Sequence, residues 1–436
     1  MERNDLGTLS ERPIRMLSST FLIFMCMALL APLSANAEGE GGGSEAVFDE
    51  ILDGITGGKP ILDVNLRYGY AKIDGFTHSH AATVRTRFGY QTKPVYGVSG
   101  LLEGVNTASP KPSEYYDGVE SPTSQSIIAD PERTDINRVW AKYENADWAG
   151  LALKTGRQRI KLDDDRWIGN VGWRQNEQTF DAVRLESNLG NEKILAQYAY
   201  AWRVKRIFAD KGAPGTRDYG PRSHFLHAAY DHDETLKASI FAYLIDPNDN
   251  AYRANGSNTY GLRLTGTVPI DDDFSMPYQA SYAHQTDGGN NQVSYDADYY
   301  MIESGVKMKN VGGLSLGYEV LGSDRDAVVV TPFSTAHKFN GFADAFLNNG
   351  GVRGLRDVFV TIAPAIPLKG VTLKMIFHQF YDDQGGDNLG QEYDLVTTYQ
   401  LNEYISFLYK VAYFDGGKNR SPGSRTRSTL QTTFKF

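Results

Sequence analysis

The sequence predicts an all-β protein: a transmembrane antiparallel β-barrel of about 18 strands, with short turns on one rim and long loops on the other. Three observations predict it. Apolar and polar residues alternate along most of the chain, the connections alternate in length, and no apolar run after the N-terminus approaches the ~18 residues of a membrane-spanning helix. The 436 residues include 26 Tyr and 21 Phe, which is too aromatic for a disordered chain.

Charge and cysteine content exclude several classes of protein. The net charge is −9, so the chain lacks the global basic signature of a nucleic-acid binder, and we expect no nucleic-acid partner. The chain has one cysteine, which excludes a disulfide scaffold and a cysteine zinc site.

Residues 1–37 are predicted to be a secretory signal peptide. Basic residues precede an apolar run over 21–30, and Ala35-Asn36-Ala37 is a small-x-small cleavage site. The alternative, a single membrane anchor, needs a longer apolar run. Residues 38–58 follow as a periplasmic N-terminal segment with one short amphipathic helix, and residues 59–436 form the barrel.

The barrel region is built of segments with a period of two, most of them about ten residues long. Leu62, Val64 and Leu66 alternate with Asp63 and Asn65, which is typical of a strand with one apolar face. Eighteen such segments begin near residues 61, 81, 95, 137, 151, 179, 193, 223, 235, 258, 274, 295, 314, 357, 368, 390, 404 and 425. A tilted spanning strand needs ~9–11 residues, so each segment is long enough to cross a membrane.

The connections between these segments alternate between short and long. The short turns are 92–94, 188–191, 232–234, 271–273, 309–313 and 401–403. The long connections are 106–136, 159–178, 206–222, 246–257, 322–356, 381–389 and 415–424. This layout is typical of an outer-membrane barrel, whose apolar face contacts lipid. A soluble sandwich or propeller is the alternative, but no blade-length repeat is visible.

Aromatic residues at the strand ends and the C-terminus support an integral location in the cell outer membrane. The residues that would form an interfacial girdle are Tyr68, Tyr70, Tyr90, Trp148, Trp202, Tyr399 and Tyr413. The chain ends Phe434-Lys435-Phe436, which resembles the signal by which outer-membrane barrels are recognised for insertion.

Several short motifs resemble the alginate-export family of outer-membrane porins. They are GRQ at 156–158, DRWIG at 165–169, WRQN at 173–176, TFDAVR at 179–184, HKFNGFAD at 337–344 and LGQEYD at 389–394. The family-motif residues are Gly156, Arg157, Gln158, Asp165, Arg166, Trp173, Arg174, Gln175, Asn176, Asp181, Glu319, His337, Lys338, Asn340, Gly341, Asp344, Glu392 and Asp394. The resemblance implies an 18-stranded, monomeric transport channel.

Strand parity predicts a positive lumen. The basic residues on the polar face are Arg67, Arg85, Arg87, Arg138, Lys142, Lys154, Arg184, Arg203, Lys205, Lys237, Arg263, Lys307, Lys374, Lys410, Arg425, Arg427 and Lys435. The acidic ones are Asp63, Glu103, Glu186, Glu303, Glu319, Glu392 and Asp394. An excess of ten positive charges favours anions, although some arginines are expected to pair with Glu319, Glu392 or Asp394.

Two outer loops carry the features of segments that fold against the barrel. Residues 159–181 mix basic and acidic side chains, which predicts an ion-pair and amide network through Gln175 and Asn176. That network either anchors the loop alone or forms a constriction that contacts the solute. The loop 322–356 carries four Phe, so we expect residues 337–346 to pack over or into the mouth.

Enzymatic and metal sites are the rival hypotheses. His224 and His227 face opposite sides of a strand, and His78-x-His80 has no apparent third ligand. Residues 163–165 are three aspartates, whose carboxylates are typical Ca²⁺ ligands, but basic residues flank this run. The G-x-S-x-G match GLSLG at 313–317 falls on a predicted strand and not on the strand-to-helix turn that the nucleophile motif needs. We therefore predict no catalytic residue, no metal and no cofactor.

These observations favour a channel or porin that passes anionic solutes, above all an anionic oligo- or polysaccharide. Two alternatives stay open: a structural or adhesive surface barrel closed by its loops, and a lipid-modifying barrel enzyme. The expected partners are outer-membrane lipids and the anionic solute. The sequence leaves the identity of the solute, the direction of transport and the periplasmic partners undetermined.

Overall fold

A single antiparallel sheet of eighteen strands closes on itself, because the last strand pairs with the first. The computed structural model describes residues 43–120, 123–325, 327–347, 353–417 and 422–436. The predicted signal peptide, 1–37, lies outside the described residues. Each predicted strand is present and begins within four residues of its expected start, which confirms the 18-stranded barrel.

The barrel strands and one short hairpin follow each other in chain order. The strands are β1 Lys59–Ile73, β2 Ser79–Gln91, β3 Val98–Ala108, β4 Arg133–Asn145, β5 Leu151–Gln158, β6 Thr179–Ser187, β7 Ile194–Lys205, β8 Ser223–Asp233, β9 Leu236–Ile245, β10 Ser257–Pro269, β11 Phe274–Asp287, β12 Asp296–Met308, β13 Gly312–Leu321, β14 Ser323–Asp324, β15 Ala327–Val328, β16 Leu355–Pro364, β17 Val371–Tyr381, β18 Asn388–Gln400, β19 Ile405–Asp415 and β20 Arg425–Lys435. The hairpin of β14 and β15 is separate from the barrel sheet.

Helical structure is confined to short segments. Helix α1 spans Gly43–Thr56 and belongs to a compact unit separate from the barrel. Its position in the sequence agrees with the short helix that the sequence predicts. The 3-10 helices are Pro112–Glu114, Ala209–Lys211, Asn250–Asn255 and Ala336–Lys338. None of the helices in the described ranges has the length and apolarity needed to cross a membrane.

The connections alternate in length as predicted. The turn between β8 and β9 has two residues and the turn between β12 and β13 has three, whereas 20 residues separate β5 from β6 and 24 separate β3 from β4. By the rule for outer-membrane barrels, the short turns lie on the periplasmic rim and the long loops on the outer rim.

Burial alternates along each strand because successive side chains point to opposite faces of the sheet. On β1, Asn65, Arg67 and Gly69 are buried, whereas Leu66 and Tyr68 are exposed. The exposed apolar face meets lipid, and the polar face points into the lumen. Closure satisfies every ladder hydrogen bond, which the hydrocarbon region requires.

One sector of the lumen is apolar rather than polar. Phe180 and Phe225 are fully buried on the inner wall and contact each other edge to face, with ring centroids 5.8 Å apart. The ring of Phe333, which enters from the loop before β16, packs edge to face against both, at 5.4 and 5.8 Å. Part of the lumen is therefore a packed core.

Removal of the last strand tests whether closure is required for assembly. A chain that lacks residues 425–436 should fail to form a barrel, because β1 would expose unpaired backbone groups to lipid at several kcal/mol each. Phe436→Ala should also lower the assembled fraction, because Phe436 hydrogen-bonds Leu62 through its backbone and stacks on Tyr404. The measurement is heat-modifiable migration of the membrane fraction.

Ile270→Ala is the matched control for Phe436→Ala, because Ile270 is an equally exposed apolar residue on the same rim. It should assemble like the unmodified chain. Normal heat-modifiable barrels from the truncated chain would contradict the requirement for closure.

Candidate functional site

Two outer loops fold into the lumen and pack against each other. Loop A is residues 159–178, between β5 and β6, and loop B is residues 329–347, before β16. The backbone N–H of Gly169 donates to the carbonyl of Phe333 at 2.8 Å. The indole of Trp173 stacks on the imidazole of His337, with centroids 4.6 Å apart. The predicted packing of the Phe-rich segment into the mouth is confirmed.

Loop A is anchored by the amides that the sequence singled out. The Gln175 side chain donates to Thr83 on β2, and the Gln175 backbone N–H donates to the carboxylate of Asp130. The Asn176 amide donates to the carbonyl of Pro131 and accepts from Thr107 on β3. The expected amide network is confirmed, and its anchoring role is clear from these contacts.

A buried carboxylate, Glu177, ties the end of loop A to the basic wall. Arg159 donates two hydrogen bonds to it, at 2.6 and 2.7 Å, and the Arg87 guanidinium lies 3.6 Å away. Burial alone raises the pKa of Glu177, but Arg87, Arg159 and the Asn137 amide outweigh burial and hold the pKa well below its usual range. Glu177 is therefore ionised at neutral pH.

Loop B is held by Asp344, which is fully buried as a side chain. Arg174 of loop A donates to it at 2.9 Å, His337 Nδ1 lies 2.6 Å from its other oxygen, and Arg427 on β20 lies 3.6 Å away. Burial alone raises the pKa of Asp344, but His337, Arg174 and Arg427 hold the pKa well below its usual range. One carboxylate thus joins both loops to the wall.

Lys410 of β19 fills the space between the two loops. Its ammonium lies 3.3 Å from the ring centroid of Trp173 and 4.1 Å from that of Phe342. It also donates to Nε2 of His337 at 2.7 Å, so the imidazole must be neutral, with its proton on Nδ1. Burial lowers the pKa of His337 to about 3, against the opposing effect of Asp344.

Four inward arginines on neighbouring strands form the arginine wall: Arg67, Arg85, Arg87 and Arg138. Arg67 donates four hydrogen bonds, to Gln431, to Asp130 and to a loop A carbonyl. Arg138 binds Glu103 through two donors.

Two members of this wall keep free donors. The guanidinium of Arg85 lies 2.5 Å from Asp63, but its Nε has no acceptor. Nε and Nη2 of Arg87 likewise have no hydrogen-bond acceptor among the described residues, and both arginines are more than nine-tenths buried.

The other predicted pore residues lie on the inner face but are mostly paired. Lys142 binds Glu144, Arg184 binds Glu186, Lys237 binds Asp231 and Arg263 binds Asp164. Arg425 donates to the carbonyl of Asp344 and Arg427 to that of Ala343. Lys374 is exposed, and no carboxylate of the described residues lies within ion-pair distance of it.

Arg203 is not placed as strand parity predicted. The pairing of β6 with β7 contains a register shift, so Val204 and not Arg203 lies opposite the buried Phe180. A one-residue shift moves every later side chain to the other face. Arg203 is about half exposed and lies 3.9 Å from Asp218 in the following outer loop.

The predicted excess of ten positive charges is not the charge of the lumen, because loop residues of both signs enter it. The acids are Asp130 beside Arg67, Asp164 beside Arg263, Glu177 beside Arg87, and Asp344 beside Arg174 and Arg427, and the basic residues include Arg159, Arg166 and Arg174. Parity along the strands counts wall residues alone, so it missed these charges. The field in the lumen therefore depends on local groups rather than on the wall total.

Of the wall acids expected to pair with arginines, Glu319 does so, whereas among the described residues no arginine lies within ion-pair distance of Glu392 or Asp394. Glu319 pairs with Arg166 of loop A at 3.0 Å. Glu392 and Asp394 accept backbone N–H groups of loop B. These acids position the loops instead of stiffening the wall.

The remaining motif residues shape the loops. Arg157 and Asp181 form a two-pronged ion pair between β5 and β6, and Gln158 is buried against the carbonyl of Ala182. Gly156 has a φ of +114°, a conformation that favours glycine. Lys338 donates to the carbonyl of Asp164.

The run of three aspartates, 163–165, does not converge on one point. Asp163 lies 3.0 Å from His227 and accepts a hydrogen bond from the Ser239 hydroxyl. Asp164 forms an ion pair with Arg263, and Asp165 lies 3.4 Å from Lys161. Within the described ranges no three His, Cys, Asp or Glu side chains are arranged to hold a metal ion.

Sequence reasoning missed two parts of the site. One is the pair of wall residues Asp357 and His378, which contact each other at 3.0 Å. The other is the inner aromatic sector, in which Phe241 and Tyr243 stack at 4.7 Å. The available signal was that both faces of the β8 and β9 segments carry apolar residues.

Comparison with known proteins supports the sequence interpretation. The model of a family described as Alginate export matches residues 115–313. This range contains the GRQ, WRQN and TFDAVR motifs, so the resemblance to that family is confirmed there. The HKFNGFAD motif, Glu392 and Asp394 lie beyond it. None of the curated protein sequences matches the chain.

Solved structures show the same fold at low sequence identity. Acinetobacter baumannii OccAB3 is 14% identical with a TM-score of 0.67, over 87% of this chain and 99% of that chain. Pseudomonas aeruginosa OccK8 (OprE) is 13% identical with a TM-score of 0.65, over 88% and 98%. Pseudomonas aeruginosa OccK7 (OpdD) is 18% identical with a TM-score of 0.63, over 87% and 98%.

The closed 18-stranded barrel with its apolar outer face, and the family match over residues 115–313, place the chain in the outer membrane as an integral protein that resembles channels and porins. The family and the structural neighbours are channels and not enzymes.

Gly341→Ala tests whether loop B narrows the channel. Gly341 has a φ of +84°, and a Cβ there would collide with the carboxylate of Glu392. The variant should dislodge loop B and raise single-channel conductance in planar bilayers. Gly386→Ala is the control, because Gly386 has a φ of +70° but an added Cβ would meet nothing within 4 Å. Equal conductance of both variants and the unmodified barrel would contradict the blocking role.

Acidification should loosen loop B through His337. The imidazole has a pKa of about 3 when docked and ~6.5 when released, so the released loop binds the proton first. This contribution weakens docking as the pH falls from about 6.5 towards 3. The ratio of channel openings at pH 5 to those at pH 7.5 should therefore be larger in the unmodified channel than in His337→Asn, because Asn can still donate to Asp344 but cannot take up a proton.

Proposed function

We propose that this barrel is a passive channel for anionic solutes, in particular an anionic oligo- or polysaccharide. One observation carries the proposal: the donors of Arg85 and Arg87 that are buried on the inner wall and have no acceptor in the part of the chain that the structure describes. A buried guanidinium N–H without an acceptor is costly, so the wall favours a solute that brings oxygen acceptors. Carboxylates fit best, because they match the planar fork of arginine.

The match to the family described as Alginate export supports a saccharide in particular.

We further propose that the channel acts as a monomer. Its sheet closes through β1 and β20 of the same chain, so no partner strand is needed. Outer-membrane lipids then surround the apolar face on all sides.

A closed structural or adhesive barrel is the second candidate, and one observation favours it: loops A and B meet inside the lumen and bury Phe333 and Asp344 there. Conductance in planar bilayers separates the two, because a closed barrel conducts no ions. A lipid-modifying enzyme has no comparable support. A lipase assay on the purified protein tests it.

Anion selectivity is the direct test. In a salt gradient the reversal potential should have the sign of an anion-selective pore, because nearby wall charges act in a low-dielectric lumen while exposed charges are screened over ~8 Å. Oligouronates should block the current partially. A folded barrel that prefers cations would overturn the proposal.

The double variant Arg85→Gln with Arg87→Gln locates that selectivity. It removes two wall charges and should reduce the anion preference and the affinity for oligouronates, by ~10-fold or more if both donors bind the solute. The control is Arg217→Gln with Arg222→Gln, which removes two charges that are 44% and 60% exposed in an outer loop. The control should keep the selectivity of the unmodified channel.

A further inference from the structure

Two neighbouring acids on the wall bind the backbone of loop B. Glu392 accepts the N–H of Ala343 at 2.6 Å, and Asp394 accepts the N–H of Phe342 at 3.0 Å. Both lie on the inner face of β18, two residues apart. Gly341 packs so closely on Glu392 that a Cβ would collide with its carboxylate. We call Glu392 and Asp394 the acid pair.

A second row of contacts holds the preceding residue of loop B. The amide of Asn340 donates to Glu319 at 2.7 Å and to Asp357 at 3.2 Å. Arg166 compensates Glu319, and His378 lies 3.0 Å from both oxygens of Asp357. These two acids thus have cationic or protonated partners at contact distance.

The acid pair has less compensation. His378 Nε2 lies 3.7 Å from Asp394, and in the described ranges no cation lies within 4.0 Å of Glu392. Oε2 of Glu392 and Oδ1 of Asp394 are buried without a donor. Glu392 is 0% exposed and Asp394 is 4% exposed. Two buried carboxylates this close cannot both be charged at low cost, so the docked arrangement requires one shared proton.

Charged groups on every neighbouring element face the acid pair at longer range. They are His378 on β17, Asp357 on β16, Glu319 on β13, Lys410 on β19, Arg425 and Arg427 on β20, Arg166 and Arg174 of loop A, and His337 and Asp344 of loop B. Asp344 forms ion pairs with Arg174 and Arg427, and His337 accepts a hydrogen bond from Lys410. The nearest cations are therefore already committed to other partners.

We propose that the acid pair is a proton-operated latch: loop B stays docked in the lumen while the pair holds one proton, and is released when that proton passes to lumen water. This inference rests on the proposed channel function, because it assigns a gate to that channel. Release exposes both carboxylates to water, which removes the cost of burying two adjacent charges. The open fraction therefore rises with pH.

The test is conductance of the full-length barrel between pH 7.5 and 9.5. His337 is largely neutral in both states of the loop over this range, so it does not contribute. The unmodified channel should open several-fold more often at pH 9.5 than at pH 7.5. Glu392→Gln should stay in the low-conductance state throughout, because glutamine is neutral and can donate to Asp394. Asp394→Asn should behave in the same way and guards against a folding defect of one variant.

Glu186→Gln is the matched control, since Glu186 is a wall acid paired with Arg184 and does not contact loop B. It should retain the opening at alkaline pH. A second readout is thiol labelling of Ala345→Cys, a buried loop B position, which should accelerate with pH more than labelling of the exposed Ala213→Cys.

The outcomes separate the latch from the channel. No current at any pH would refute the proposed channel. Current and loop B labelling that do not change with pH, after correction with Ala213→Cys, would overturn the latch alone. Opening of Glu392→Gln like the unmodified channel would also overturn it.

Discussion

The pairing of β1 with β20 is the constraint on which the rest of the molecule depends. In lipid no water is available for an unpaired backbone group, so a sheet is stable there only when it has no edge. Closure turns one face of every strand outward to lipid and the other inward. The side chains of the inner face are polar, and they are too small to fill the lumen by themselves. The loops that enter the lumen fill the remaining space.

Loops A and B fill the lumen by matching charge rather than by apolar burial alone. Asp344 illustrates this, because it is a single carboxylate that contacts Arg174 of the other loop and Arg427 of the wall. Loss of both arginines would leave the buried carboxylate without a charged partner, which costs about 3–5 kcal/mol. Such pairs fix the position of a loop precisely but weaken abruptly when one proton is gained or lost. The same interaction therefore provides both order and a means of release.

The barrel is predictable from the sequence because consecutive residues of a strand point to opposite faces of the sheet. This period of two is local, so the faces of Leu66 and Arg67 can be assigned without knowing which strands lie beside them. Contacts between a loop and the wall are not local: Glu177 contacts Arg87, and Asp344 contacts Arg427, across long stretches of chain. No periodicity relates them. Parity also fails where a register shift intervenes, as it does at Arg203.

The same distinction decides how selectivity should be understood in this lumen. Charge counts along the strands suggest a strongly positive pore, but loop carboxylates neutralise Arg67 and Arg263, and much of that excess is local pairing. What remains for a solute is a donor without an acceptor, as at Arg87. A compensated guanidinium attracts an anion weakly at long range yet still binds it at contact, through its free N–H groups. Selectivity in such a pore is therefore a property of contact geometry, and movement of loop A or loop B changes it without any change in composition.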